Sequence, residues 1–107
     1  MDQYLLSYIN QQMLERGYKK YRFESLCILT KADETEYIYP AYNQYLYLVS
    51  KELANNTIIS GDNNAYKVDQ HYSKQVFAQI REFTGQVKIS NPENTVQLIE
   101  FIRVIPK

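Results

Sequence analysis

Tyr21-Arg22-Phe23-Glu24-Ser25-Leu26-Cys27-Ile28-Leu29 is the stretch in which the chain changes period. Tyr21, Phe23, Cys27 and Leu29 alternate with Arg22, Glu24, Leu26 and Ile28, as side chains do on the two faces of a strand. From Leu26 onward both sets are apolar, which predicts a strand covered on both faces. Upstream the period is helical. Leu6, Ile9 and Met13 recur at helical spacing, Leu5 and Tyr8 widen the stripe, and Asp2 is placed to cap it. Gly17 stands where a left-handed residue ends a helix, with Arg16, Lys19 and Lys20 at the negative end of the dipole. The helix is therefore assigned to residues 1–17.

Downstream the period stays near two. Lys31-Ala32-Asp33-Glu34 reads as a turn, and Thr35–Tyr39 as a short strand ended or held at an edge by Pro40. Tyr45, Tyr47 and Val49 share one face of a third strand, with Leu46 and Leu48 on the other. Asn55-Asn56 leads into Thr57-Ile58-Ile59, and Gly61-Asp62-Asn63-Asn64 is a strong turn before Ala65–Asp69. Val87 and Ile89 alternate, Asn91-Pro92-Glu93-Asn94 turns, and Val96–Ile105 is rich in β-branched residues. Ser73–Gly85 carries Val76, Phe77, Ile80 and Phe83 at helical spacing, yet the surrounding β pattern and a hairpin at Gly85 favour a strand. The expected fold is mainly β with an N-terminal α-helix: a single domain over 1–107, with an antiparallel β-sandwich or barrel-like unit over 21–105. The alternative is a mixed α+β domain with a second helix at about 73–84.

Composition narrows the chemistry. The chain has 107 residues, with 45% hydrophobic and 22% charged, which suits one folded domain and argues against disorder. Twelve basic residues balance twelve acidic ones, so no net field attracts nucleic acid or membrane. One cysteine, Cys27, excludes an intramolecular disulfide, and one histidine, His71, excludes a two-histidine metal face. No metal and no cofactor are expected. The N-terminus lacks a basic region followed by an apolar run, and no apolar run reaches the roughly 20 residues of a bilayer span. The expected location is the cytoplasm, or the inside or surface of an assembled particle, with no secretory signal.

Five groups of residues are candidates for chemistry or binding. Asp69, His71 and Ser73 are the residue types of a nucleophilic triad, but neighbours two apart on a strand are about 6.6 Å apart, beyond direct hydrogen-bond reach. Asp33, Glu34 and Glu36, and the turn Asp62-Asn63-Asn64, are oxygen-rich without the loop pattern that calcium requires. Arg16-Gly17-Tyr18-Lys19-Lys20-Tyr21-Arg22 interleaves cations and aromatics, so Arg16, Lys19, Lys20 and Arg22 are candidate polyanion contacts. Zero net charge makes a nucleic-acid partner the weaker expectation. Tyr37, Tyr39, Tyr42, Tyr45 and Tyr47 place five of the chain's eleven tyrosines in eleven residues, and are candidates for an interface or ligand platform.

Eleven tyrosines, eight asparagines and nine glutamines describe a surface that can be buried against protein at modest desolvation cost. Without catalytic groups at workable spacing, the expected function is non-enzymatic: a structural or assembly subunit in a homo-oligomer or larger particle. Its partner would be protein, through self-association or a larger assembly. Small accessory or capsid-type proteins of bacteriophage virions are the class this composition suits. The alternative is a peptide- or glycan-binding module using the tyrosine-rich strands, and a weaker one is polyanion binding through Arg16–Arg22. Burial of Tyr45 and Tyr47 in the chain's own core would remove the main support for the first two.

Overall fold

The helix forms where the spacing predicts, with its buried line running through Leu5 rather than Leu6. A computed structural model of the chain describes residues 3–40, 43–50, 53–69 and 80–107; Asp2, the expected cap, lies outside them. Helix α1 spans Gln3–Glu15 and buries Leu5, Ile9 and Met13, one side chain per turn, with Leu6 and Tyr8 half-buried beside them. It stops at Gly17, whose φ of 86° is left-handed. The Tyr18 amide then donates to the Met13 carbonyl at 2.9 Å, closing a Schellman-type end that satisfies an otherwise orphaned carbonyl.

Among the described residues eight strands follow: β1 (Tyr21–Thr30), β2 (Thr35–Ile38), β3 (Tyr45–Leu48), β4 (Ile58–Ser60), β5 (Ala65–Lys67), β6 (Glu82–Thr84), β7 (Val87–Ser90) and β8 (Gln97–Pro106). They form two four-stranded sheets, in the orders β1-β8-β3-β6 and β2-β7-β4-β5, with antiparallel pairing throughout. The architecture is a β-sandwich-like α+β domain with one N-terminal helix. Between the sheets, Leu46, Phe83, Ile99 and Phe101 of the first pack with Ile38, Ile59, Val87 and Ile89 of the second. These alternate along their strands with residues on the outer faces, so period two in sequence becomes the inside and outside of a sandwich.

Among the described residues only β4 and β5 are sequential strands paired in one sheet, and Gly61-Asp62-Asn63-Asn64 makes their turn, with the Gly61 amide donating to the Asn64 carbonyl at 2.8 Å. Every other connection between consecutive strands crosses between sheets. One such crossing corrects the expected hairpin at Gly85. β6 and β7 lie in different sheets, so Gly85, at φ 70°, is a corner where the chain changes sheet. Glu82–Thr84 is strand rather than the end of a second helix; residues 73–79, where the rest of that alternative falls, lie outside the described residues.

At one end of the sandwich the crossings are tied by a polar hub. Buried Asn91 donates to the carbonyls of Thr30, Lys31 and Thr95, and Gln97 donates to Asn91 and to the Thr57 hydroxyl. Buried amides satisfied in this way specify one arrangement of loops, because any other leaves them unpaired.

Candidate interaction surface

The outer face of the first sheet is where the fold leaves apolar surface uncovered, and the reason is length. Helix α1 has 13 residues and is about 20 Å long, whereas β1 and β8 run ten residues each, about 33 Å. The helix therefore covers one end of the sheet. Leu5, Ile9 and Met13 pack there on Tyr47, Ile102 and Val104, with Tyr8, Tyr18, Tyr21 and Tyr45 around them. The Tyr8 and Tyr47 rings meet edge to face at 6.4 Å. Beyond the helix, Leu29 and Leu98 sit directly opposite one another across the β1–β8 pair, 55% and 57% exposed. Val96, 55% exposed, and exposed Cys27 extend this apolar patch. The expectation that β1 is covered on both faces beyond Leu26 is thus corrected: the inner face is packed, while Cys27 and Leu29 look outward past the end of α1.

The five candidate tyrosines do not form one platform. Tyr47 is fully buried, and its hydroxyl donates to the Glu82 carboxylate at 2.7 Å. Burial first, and then this bond to a carboxylate, push its phenol well above the ordinary tyrosine range. Tyr45 is half-buried, within hydrogen-bond distance of the Tyr18 hydroxyl at 3.1 Å. Its phenol is also raised, by burial and then by Tyr18. Both rings fill the space under and beside α1, because strand alternation sends Tyr45 and Tyr47 to the face that α1 covers. Tyr37 lies on the outer face of β2 in the second sheet and Tyr39 just past that strand's end; both are exposed, and their rings stack at 6.1 Å. Tyr42 lies outside the described residues.

The basic run is likewise divided. Arg16 reaches Glu82 at 2.8 Å, and its guanidinium stacks over the Tyr45 ring at 4.5 Å. Burial disfavours its charge, but the Glu82 carboxylate outweighs that and raises its pKa. Arg16, Tyr47 and Glu82 form a clasp that joins the end of α1 to β3 and β6, with Asn63 a further donor to Glu82 at 3.5 Å. Arg22 pairs with Glu24 at 3.3 Å, and Arg103 approaches the other Glu24 oxygen at 3.6 Å. Lys19 and Lys20 are exposed. Two of the four candidate cations are thus committed to carboxylates of the same chain. Sequence reasoning missed Glu82, whose partners come from three distant segments.

The remaining candidates are turn residues or fall outside the described segments. Asp33 has a left-handed φ of 54° in the β1–β2 turn, which the Glu34 amide closes onto the Lys31 carbonyl at 3.2 Å. His71 and Ser73 lie outside the described residues, so their relation to Asp69 does too. No helix among the described residues is long and apolar enough to cross a membrane.

A second feature adjoins the bare patch. Among the described residues β1 pairs with β8 alone, which makes it an edge of its sheet. The Glu100 amide donates to the Ser50 hydroxyl, and its carbonyl accepts from Val49, so both face β3. Cys27, opposite Glu100, therefore turns its own amide and carbonyl away from β8. By alternation, Tyr21, Phe23, Ser25 and Leu29 do the same. Leu26 and Ile28, on the inner face of this strand, are half-buried. No family model, no curated protein and no solved structure matches this chain.

Proposed function

We propose that this chain is a non-enzymatic structural or assembly subunit, a small β module that packs into a homo-oligomer or larger particle of the virion-accessory type. The observation that supports this reading is the bare end of the first sheet, where Leu29 and Leu98 oppose each other in the open beside Val96 and Cys27. Isolated exposed leucines are ordinary, but a cross-strand pair flanked by Cys27 and Val96 is the kind of contiguous apolar surface that marks an interface. The tyrosine cluster, from which the sequence suggested the same function, no longer supports it, because Tyr47 and much of Tyr45 are spent on the chain's own core. Support now rests on aliphatic side chains that α1 is too short to reach. Zero net charge favours the same reading, since copies approach without long-range repulsion.

Light scattering behind a sizing column, over a concentration series, tests it. The expected result is a defined oligomer, or a mass that grows with concentration, and a lower mass for Leu98→Lys at equal concentration. A monomer throughout the series overturns self-assembly.

A further inference from the structure

The edges of the two sheets are not alike. β2 has four residues and Pro40 follows two positions after its end; β5 has three and ends in Lys67; β6 has three. Shortness, proline and lysine are the devices by which sheet edges avoid pairing with other chains. β1 has ten residues, with neither proline nor lysine among them. Its register with β8 runs from Tyr21 to Thr30 without a bulge. Its two charges, Arg22 and Glu24, pair with each other. Five backbone amides and carbonyls, at Tyr21, Phe23, Ser25, Cys27 and Leu29, face outward along this edge, and no hydrogen bond takes them up among the described residues.

We propose that β1 pairs antiparallel with β1 of a second copy about a two-fold axis at Leu26, joining two four-stranded sheets into one of eight. This deepens the assembly reading above and rests on it. Outward-facing residues are odd-numbered, so odd must meet odd across the axis. Centring on Leu26 satisfies that over Arg22–Thr30, nearly the whole strand. It sets Phe23 of one copy opposite Leu29 of the other, Ser25 opposite Cys27, and Leu26 opposite itself. Phe23 and Leu29, both exposed in the single chain, become a cross-strand apolar pair. The half-buried Leu26 side chains of the two copies close the inner side of the seam. Antiparallel pairing also sends the Arg22 and Glu24 of each copy to opposite ends, where Glu24 meets Ile28 and Arg22 meets Thr30, so like charges do not oppose. A second copy fits this edge better than an unrelated peptide because length and alternation match about the axis and no like charges meet across it.

Substitutions at Ser25 and Cys27 test the pairing, because both side chains are exposed and both amides point away from β8. Ser25→Pro removes an outward amide without removing a bond to β8. Ser25→Lys with Cys27→Lys sets lysines opposite lysines across the axis, and Ser25→Glu with Cys27→Glu does the same with carboxylates. The expected result, under reductant, is a dimer for the wild type and monomers for all three variants, each with a wild-type circular dichroism spectrum. An equimolar mixture of the lysine and glutamate variants returns to the dimer mass, which a folding defect cannot produce. Dimers that persist in both charge variants overturn the β1 edge while leaving assembly through another surface. A monomeric wild type overturns both readings.

Discussion

The two ends of the first sheet's outer face are built from the same strands and meet opposite fates. At one end, Ile102, Val104 and Tyr47 lie under Leu5, Ile9 and Met13. At the other, Leu98 and Leu29 stand in solvent. The residue types are similar and the strand period is the same. What differs is the reach of α1, about 13 Å shorter than the strands it lies against. Apolar side chains on a strand therefore state that a face wants covering, and leave open whether the same chain does it. Covered, they make a core; bare, they ask for a partner.

The comparison breaks if the two ends respond alike to substitution. The largest effect is expected at the covered end. Ile9 is fully buried, so Ile9→Ala should cost about 2–5 kcal/mol of unfolding free energy through lost transfer energy and the cavity left behind. Urea unfolding followed by circular dichroism reads this as a lower midpoint at an unchanged slope. Next comes the clasp at the edge of the same end. Tyr47→Phe removes a hydrogen bond to the Glu82 carboxylate and should cost roughly 1.5–3 kcal/mol.

The clasp also gives the covered end an alkaline signature. Tyr47 and Tyr45 are both raised, chiefly by burial, so their neutral form is favoured in the folded chain. Below the ordinary tyrosine pKa of about 10 the phenols are protonated whether folded or not, and their contribution is complete. Above it the unfolded chain releases protons that the folded chain holds, so stability falls with rising pH. Urea midpoints measured on either side of that pH should fall, and fall less in Tyr47→Phe. An equal fall in the variant would place the titration elsewhere.

The smallest effect on stability is expected at the bare end. Leu29→Lys replaces a side chain that is more than half exposed and should change unfolding free energy by no more than about 0.5 kcal/mol. It should nevertheless reduce the associated mass measured by light scattering at equal concentration. A loss of several kcal/mol in the monomer would mean that Leu29 belongs to the chain's own core, and the contrast between the two ends would disappear.

Much of this fold is legible locally. The helical stripe through Leu6, Ile9 and Met13 with Leu5 beside it, the stop at Gly17, the turns at Lys31–Glu34 and Gly61–Asn64, and the alternation through Tyr45–Leu48 depend on neighbours within a few residues, although only packing chose Leu5 over Leu6 for the core. Gly85 shows the limit. A glycine between two β patterns has the same local signature whether the chain folds back beside itself or crosses to another sheet, because both need a left-handed turn. Glu82 shows it more plainly: its clasp draws on Arg16, Tyr47 and Asn63, and no spacing along the chain predicts that meeting.

By itself the sequence determined the helix, the strand period and the balance of charge, since each follows from side-chain spacing and composition over short windows. The two-sheet order, the burial of Tyr47 and the exposure of Leu29 and Leu98 were decided only in three dimensions. Alternation assigns a residue to one of two faces. Which face is covered, and how far, depends on the length of a helix that packs across strands distant from it in sequence.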